Sequence, residues 1–324
     1  MRGDRAMTEK KIITVIGATG RQGGGLVRAV LADREGEFTV RAVTRHPEGE
    51  AAQELKRLGV DDIVQADMDD PASLAPAFEH AYGAFLVTNF WEHLSAEREK
   101  AQAQALAQAA SHAGIQHAVW STLEDTRECI PLDDDRMPTL QEHYKVPHFD
   151  AKAEADHYFT EEAVPTTFLR ATFYWENLFG AFAPQRGPDG AFQLTYPMGG
   201  SRLSGIAVDD IGRTALSILR RGADLIAATI SIAGEHLKVA DMAAALSLSL
   251  DEPVRYRPLS PDEWRAQGFP GADESGNMFQ FYAECEHRFT AARDLVAVRD
   301  LNPALQDFAT WLAGHHGRLL TAWT

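Results

Sequence analysis

Short apolar runs alternate with longer segments of helical periodicity from residue 12 to about residue 122. The apolar runs are predicted strands, at residues 12–16, 38–43, 62–65, 83–87 and 117–121. The segments between them are predicted helices, at residues 23–32, 49–58, 71–80 and 95–113. Repeated alternation of strand and helix predicts βαβ units with right-handed crossovers. This part of the chain is therefore expected to form an α/β fold with a doubly wound parallel sheet.

The rest of the chain is less regular. Residues 124–147 are rich in Asp and Pro, which predicts a long surface loop. Residues 173–205 are rich in aromatic residues, in Gly and in Pro, and this segment is predicted to be irregular. A short strand is predicted just before the helix that begins at residue 207. The other predicted elements are helices at 149–162, 207–220 (capped by Asp209 or Asp210) and 239–250, strands at 166–170, 227–232 and 254–257, and helical pieces over 259–324 with a break at Pro270-Gly271.

This organisation predicts two domains. Residues 11–172, with about 206–232, are expected to form the sheet domain, and residues 173–205 and 233–324 a smaller α/β lobe. Ligands of open α/β sheets bind in the crevice at the carboxyl ends of the strands. The candidate site is therefore the edge of the sheet that faces the smaller lobe.

A glycine-rich turn joins the first predicted strand to the first predicted helix. It reads Gly17-Ala18-Thr19-Gly20-Arg21-Gln22-Gly23. Glycines at its first, fourth and seventh positions allow a tight turn and a close approach of the backbone to a phosphate. The helix behind the turn directs free N–H groups and the positive end of its dipole at that phosphate. The turn predicts a dinucleotide pyrophosphate site, the alternative being a plain tight turn.

The end of the second predicted strand bears on the choice of dinucleotide. NAD-binding folds place a carboxylate there for the ribose 2′-hydroxyl. This chain has Arg45 instead, and Arg21 in the turn adds a second cation. A guanidinium suits a 2′-phosphate through charge-assisted hydrogen bonds. The sequence favours NADP(H) over NAD(H), the alternative being a solvated surface Arg45.

Two further strand ends carry polar or aromatic candidates. Asp67 follows the third strand. It either accepts a hydrogen bond from the adenine amine or, with Asp69 and Asp70, caps the next helix. Thr88, Asn89, Phe90 and Trp91 close the fourth strand. Their backbone is placed to line the cofactor ribose, and their aromatic rings either flank the nicotinamide or pack in the core.

Candidate catalytic residues follow the fifth strand. Short-chain dehydrogenases use a Ser with a Tyr-x-x-x-Lys pair, in which the Lys holds the ribose and the Tyr moves the proton. Here Ser121 is present, Lys152 has His148 four residues before it, and Tyr144 is eight residues before it. On one helix Tyr144 does not share the geometry of the pair. Lys152 is the candidate ribose ligand, and His148 is either an acid–base group or a non-catalytic polar residue.

A turn after the sixth strand adds Tyr174, Trp175, Glu176 and Asn177. Tyr174 and Asn177 are candidates for contacts beside the nicotinamide, with core packing as the alternative.

Composition narrows the function classes. A formal net charge of -16 argues against nucleic-acid binding. Cys129 and Cys285 have neither metal-ligand nor C-x-x-C spacing; no metal site is predicted, and their pairing does not follow from the sequence. Two thiols suit a reducing cytosol. The sequence contains no run of eighteen apolar residues, so no membrane span is predicted. Its polar start lacks an apolar core, so no signal peptide is predicted. A cytoplasmic location is therefore expected.

Several of these stretches together resemble the NmrA-like family, and its HSCARG branch in particular, over residues 11 to about 315. They are Gly17-Ala18-Thr19-Gly20-Arg21-Gln22-Gly23-Gly24, Val43-Thr44-Arg45, Val87-Thr88-Asn89-Phe90-Trp91-Glu92, His148-Phe149-Asp150-Ala151-Lys152, Tyr174-Trp175-Glu176-Asn177, and Gly268-Phe269-Pro270-Gly271-Ala272 with Asn277-Met278-Phe279.

The resemblance implies an atypical short-chain dehydrogenase with a Rossmann domain and a smaller lobe. Members of this branch bind NADP(H), lack the Tyr of the dehydrogenase motif, and are regarded as redox sensors or regulators that signal through partner proteins. Carried over by position, the implied cofactor contacts are Gly17, Ala18, Thr19, Gly20, Arg21, Gln22, Arg45, Asp67, Met68, Thr88, Asn89, Phe90, Lys152, Tyr174, Trp175, Glu176 and Asn177.

One departure from the family bears on cofactor preference. The residues after Arg45 read His46-Pro47-Glu48-Gly49-Glu50, which is acidic where the animal members look basic. This weakens the attraction for a 2′-phosphate.

We therefore expect an NADP(H)-binding redox sensor, a transcriptional or signalling regulator with weak or no dehydrogenase activity. The alternative is an NADPH-dependent reductase of a small carbonyl or quinone that uses Lys152 and His148, since related isoflavone-type reductases transfer hydride with a Lys. A scaffold without a ligand is a weaker third option. The long helix predicted at 95–113 offers an interface for a homodimer.

Overall fold

The computed structural model describes residues 10–323. Most of the polar start of the chain, which bears on the predicted absence of a signal peptide, lies outside these residues. The strands are β1 (Lys11–Val15), β2 (Phe38–Thr44), β3 (Asp62–Gln65), β4 (Gly83–Leu86), β5 (His117–Thr122), β6 (Thr166–Arg170), β7 (Phe173–Tyr174), β8 (Gln185–Arg186), β9 (Phe192–Leu194), β10 (Arg202–Ile206), β11 (Thr229–Ser231), β12 (Glu235–Lys238) and β13 (Val254–Tyr256).

The helices are α1 (Arg21–Ala32), α2 (Glu50–Leu58), α3 (Ala75–Phe78), α4 (Ala96–Ala113), α5 (Pro147–Glu161), α6 (Val208–Arg221), α7 (Val239–Leu250), α8 (Pro261–Arg265), α9 (Ala272–Glu284), α10 (Glu286–Ala291), α11 (Leu295–Leu301) and α12 (Phe308–Trp323). Short 3-10 turns lie at Pro71–Leu74, Phe90–Glu92, Thr126–Glu128, Trp175–Phe179 and Gly222–Leu225.

Seven strands form the main sheet, in the order β11-β6-β5-β4-β1-β2-β3. All of its strand pairs are parallel. Phe85 packs in one core cluster with α1 and α6, whereas its neighbours Ala84 and Leu86 pack in a second cluster with α4 and α5. Successive side chains of a strand point to opposite faces, so the helices cover both faces of the sheet. The doubly wound parallel sheet is confirmed.

Short strands form two additional three-stranded sheets, β12-β10-β7 and β13-β9-β8. Helices α7, α9 and α12 pack with them around an aromatic core that includes Trp264, Phe279 and Trp311. The sequence analysis missed β7, β8, β9 and β12, which have two to four residues and lie outside the regular alternation of strands and helices.

The first turn of α6 also differs from the prediction. Its N-cap is Ala207, and Asp209 and Asp210 lie inside the first turn. Asp210 is fully buried and accepts hydrogen bonds from the Asn302 and Gln306 side chains. Arg213, three residues later, also donates to this carboxylate, which the sequence analysis offered as one of two possible caps.

The division into two domains stays a prediction. Val298 and Leu305 belong to the segment assigned to the smaller lobe, yet they pack in the same core cluster as α1 and α6. The lobe as predicted therefore contributes side chains to the core of the sheet domain.

A disulfide joins Cys129 and Cys285, which are separated by 156 positions in the chain. Cys129 lies in the loop between β5 and α5, and Cys285 directly follows α9. The expectation of two reduced thiols is corrected by this bond. Because the two residues meet only in the folded chain, their spacing carried no signal.

None of the helices between residues 10 and 323 is long and apolar enough to cross a membrane. The same residues contain no group of three or more His, Cys, Asp or Glu side chains placed to hold a metal ion.

Candidate functional site

The glycine turn connects β1 to α1 in the required strand–turn–helix context. Gly17 has a φ of +67°, a backbone conformation that residues other than glycine rarely adopt. A Cβ on Gly23 would lie 2.4 Å from the carbonyl oxygen of Gly17, so only glycine allows the helix to begin this close to the strand. These two positions explain the glycine spacing in steric terms.

The start of α1 fits an anionic ligand. Gly20 is its N-cap, no side chain caps the helix, and its first turn contains no acidic residue. The first N–H groups of a helix have no partner within the helix, and the dipole favours an anion at that end. The turn and the helix therefore suit a pyrophosphate, as predicted from the sequence.

Two hydrogen bonds tie this turn to the segment after β6. Arg21 donates to the Asn177 side chain, and Gln22 Nε2 donates to the Tyr174 hydroxyl at 2.6 Å. Ser121 Oγ donates to Gln22 Oε1 at 2.9 Å. Burial raises the pKa of Tyr174 to about 12, so its hydroxyl is neutral at physiological pH. Residues from three separate predicted motifs are thus brought together.

Lys152 is buried in a polar cluster below the carboxyl end of β4. Its Nζ lies 2.9 Å from Glu99 Oε1 and donates to Thr88 Oγ1 at 2.6 Å. Thr88 in turn donates to Glu99 Oε1 at 2.6 Å, and His93 Nε2 lies 3.5 Å from Glu99 Oε2. The side chains of Lys152 and Glu99 are 8% and 0% exposed. The cluster holds the ammonium in one place.

The charges in this cluster stabilise one another. Burial on its own would raise the pKa of Glu99, but Lys152, His93 and Thr88 outweigh it and lower that pKa to about 2. Glu99 is therefore a carboxylate over the whole physiological range, and it compensates the charge of Lys152.

His148 stands four residues before Lys152 on α5, and a carboxylate from the C-terminal part of the chain holds it. Glu274 Oε1 accepts the backbone N–H of His148 at 2.8 Å and also bonds the ring at Nδ1. The ring packs against Trp91 and Phe90, with centroids 5.0 and 5.7 Å apart. Chemically this is a carboxylate-oriented imidazole, the arrangement that fixes a histidine for proton transfer.

Arg45 lies at the opposite, adenosine-facing end of the predicted site. Its guanidinium forms an ion pair with Glu92, in the short turn after β4. The two side chains are 43% and 41% exposed. Arg45, the residue predicted to bind the 2′-phosphate, is thus paired with a carboxylate of its own chain.

Asp67 has a local role in this structure. Its Oδ1 accepts the backbone N–H of Asp69 at 3.0 Å, which closes a turn after β3. Asp70 is the N-cap of the following 3-10 turn, without a side-chain capping bond. Met68 packs beside the core cluster of α4 and α5. Contacts of Asp67 and Met68 with an adenine ring stay predictions.

Two of the predicted contact residues direct their side chains into the protein. Trp175 is 1% exposed and packs against Phe308 and Trp311. Glu176 accepts the Trp311 Nε1–H at 2.9 Å and the Val208 N–H at 3.1 Å. Core packing, the alternative left open for this turn, describes both side chains, so only their backbone is available to a ligand.

A model of the NmrA-like family matches residues 9–310. The chain belongs to the NmrA-like family. The NmrA-like family domain-containing oxidoreductase FrzB of a Cladobotryum species is 27% identical over 309 residues, with 86% of each chain covered.

Crystal structures of two other proteins have a similar fold. NmrA, a negative transcriptional regulator, has been crystallised with NAD and with NADP, with TM-scores of 0.76 and 0.74 and 24% identity to this chain. These comparisons cover 94% of this chain and 95% of NmrA. The NADP(H) complex of triphenylmethane reductase from a Citrobacter species gives a TM-score of 0.73 at 17% identity, covering 94% and 99% of the two chains.

Three carboxylates of this NmrA-like chain were missed by sequence reasoning. Glu99 had a detectable signal, because Ala96, Ala103 and Leu106 place it by helical spacing on the buried face of α4. Glu92 and Glu274 had none, because each meets its partner across a long separation in sequence.

Tyr144 is excluded from the Lys152 cluster, as its position in the sequence predicted. Its hydroxyl lies 3.3 Å from both Glu97 Oε1 and Glu154 Oε2. Histidine, and not tyrosine, therefore stands four residues before Lys152, and its role as a proton donor stays a prediction.

Proposed function

We propose that this chain binds a dinucleotide at the carboxyl edge of its main sheet, NADP(H) in preference to NAD(H). The observation that carries the proposal is the uncapped, acid-free start of α1 behind a turn that only glycines allow. Residues proposed to hold the cofactor are Gly17, Ala18, Thr19, Gly20, Arg21, Gln22, Arg45, Asp67, Met68, Thr88, Asn89, Phe90, Lys152, Tyr174 and Asn177, with the backbone of Trp175 and Glu176.

Each end of the bound dinucleotide would meet a different group. The turn and α1 would bind the pyrophosphate, and Arg45 would bind the 2′-phosphate. Lys152, held by Thr88 and Glu99, would donate to the nicotinamide ribose. When bound, NADPH would supply a hydride.

We propose a sensor or regulator with weak or no turnover as the role of this site. The support is chemical: His148 stands in the place of the tyrosine that moves the proton in short-chain dehydrogenases. Binding of the dinucleotide, and not its chemical conversion, would then be the signal that the site provides. A protein partner and a homodimer through α4 belong to the same proposal.

A reductase of a small carbonyl or quinone is the second candidate function. The observation that favours it is the His148–Glu274 pair, since a carboxylate that orients an imidazole is an arrangement used in acid–base catalysis. The fold similarity to an NADP(H)-binding reductase is compatible with this candidate.

Titration of the full chain with NADPH and NADH tests the first proposal, with nicotinamide fluorescence as the readout. Saturable NADPH binding supports it, and binding of neither nucleotide overturns it. NADPH oxidation is then measured with a panel of carbonyls and quinones. Binding without turnover supports the sensor, whereas turnover that His148→Gln removes without loss of NADPH binding supports the reductase.

Lys152 needs a paired substitution in these assays. Lys152→Ala would leave the carboxylate of Glu99 buried and unpaired, and a loss of function would then report a damaged fold. Lys152→Met combined with Glu99→Gln removes both charges and keeps similar volumes. Weaker NADPH binding in this double variant, with its melting temperature retained, supports Lys152 as the ribose ligand.

A further inference from the structure

Glu92 holds the cation on which nucleotide preference is proposed to depend. The Arg45 guanidinium follows β2, the Glu92 carboxylate lies in the turn after β4, and the two form an ion pair at the surface. A carboxylate and a phosphate present similar anionic oxygens to a guanidinium. Glu92 therefore occupies Nη1 of Arg45, one of the guanidinium nitrogens that a 2′-phosphate would use.

The charges around this ion pair are mainly acidic. The pKa of Arg45 is raised, first by its bond to Glu92 and also by the charges of Asp67 and Asp69. Arg98 provides a second guanidinium nearby, and Asp69 already binds it through both carboxylate oxygens. Among residues 10–323, three carboxylates thus share two guanidiniums around this pair. A phosphate that arrives here meets one competing anion and two further negative charges.

A 2′-hydroxyl meets a different environment at the same place. It is neutral, so nearby carboxylates do not repel it, and a carboxylate is a good acceptor for its proton. NAD-binding folds use an acidic side chain for this hydroxyl at the end of the second strand. Glu92 supplies such a carboxylate from the turn after β4, beside Arg45.

We propose that Glu92 is the residue that sets the nucleotide preference of this site, an inference that rests on the dinucleotide binding proposed above. Bound to Arg45, it competes with the 2′-phosphate of NADP(H), and it accepts a hydrogen bond from the 2′-hydroxyl of NAD(H). The preference for NADP(H) that Arg45 provides is thereby reduced.

Glu92→Gln tests this inference, because glutamine keeps the size of the side chain and removes its charge. Dissociation constants of NADPH and NADH are measured for the full chain by fluorescence titration. We expect Glu92→Gln to tighten NADPH binding about tenfold, the effect of losing one charge-assisted competitor, and to leave NADH binding equal or weaker. The ratio of the two constants then rises about tenfold or more.

Glu48→Gln is the matched control. Glu48 is exposed, lies in the acidic segment after Arg45, and is placed next to Gln53 and Lys56 instead of Arg45. It removes the same charge without freeing the guanidinium, so a ratio changed by less than about threefold supports direct competition. An equal change in both variants overturns it in favour of a general effect of charge.

A double-mutant cycle locates the effect. In the Arg45→Gln background Glu92→Gln should no longer tighten NADPH binding, because no guanidinium remains to be released. The fragments 2′,5′-ADP and 5′-ADP lack the nicotinamide end of the cofactor, and each can be titrated as a competitor that displaces NADPH. Glu92→Gln should make 2′,5′-ADP the stronger competitor relative to 5′-ADP, as it does for NADPH relative to NADH. An unchanged NADPH-to-NADH ratio with intact binding overturns the role of Glu92 only. Binding of neither nucleotide to any variant overturns the proposed function as well.

Discussion

The two ends of the proposed cofactor site each contain a cation paired with a carboxylate, in opposite surroundings. Lys152 and Glu99 are 8% and 0% exposed, whereas Arg45 and Glu92 are 43% and 41% exposed. A buried pair is part of the core, because removing one partner leaves a charge without compensation. An exposed pair contributes little to stability and its residues are free to change. The nicotinamide end is thus structurally constrained, and the adenosine end is where specificity is adjustable.

Removal of one buried charge should give the largest effect. Glu99→Gln leaves the Lys152 ammonium without its counter-charge, so we expect the free energy of unfolding to fall by about 3–5 kcal/mol. Urea denaturation measures this value. The double variant Lys152→Met with Glu99→Gln should recover most of the loss, and a double variant as unstable as the single one would contradict the pairing.

Lowering the pH should also reveal how much the buried Lys152–Glu99 pair contributes to stability, without any substitution. The pKa of Glu99 is lowered to about 2 in the folded protein, below the ordinary glutamate pKa of 4.5. A carboxyl whose pKa is lowered by folding stabilises the protein above the unfolded pKa and loses that contribution as the pH falls through the folded pKa. We therefore expect about 3 kcal/mol to be lost between pH 5 and pH 2. The loss should be smaller in the uncharged double variant, and equal pH profiles would refute the assignment.

Removal of the exposed cation should change affinity and not stability. Arg45→Ala should weaken NADPH binding by about 10- to 100-fold through loss of a charge-assisted bond, and NADH binding by less than about threefold. Titration of both nucleotides gives the comparison. Equal losses for both would contradict the assignment of Arg45 to the 2′-phosphate.

The smallest effect is expected for the stability of the exposed pair. Arg45→Gln and Glu92→Gln should each change the free energy of unfolding by less than about 1 kcal/mol. Urea denaturation in parallel with Glu99→Gln places the two ends on one scale. A loss as large as that of Glu99→Gln would remove the distinction between them.

Sequence patterning predicted the sheet because long βα repeats leave a strong periodic signal. Strands β3 and β6 and helix α7 have the predicted bounds. The same reasoning failed for the short strands β7, β8, β9 and β12. Strands β7, β9 and β12 each pair with a segment distant in sequence, and β8 joins its sheet by pairing with β9. Local signals do not contain that information.

The candidate site divides in a similar way. The glycine turn, Arg45, His148 and Lys152 are visible in the sequence because their chemistry is fixed by spacing along one strand end or helix. Their counter-charges Glu92, Glu99 and Glu274 come from other elements. Whether a cation is free or already paired is therefore a tertiary property, and it changes the expected chemistry of each position.

The bond between Cys129 and Cys285 turns the intervening chain into a closed covalent ring. The ring includes His148, Lys152 and Glu274, but Arg45 and Glu92 lie outside it. A single protease cut between His148 and Glu274 consequently leaves the two pieces that bear these residues covalently joined until a reductant breaks the disulfide. A nascent chain has no such tether, because the ring closes only after Cys285 has left the ribosome.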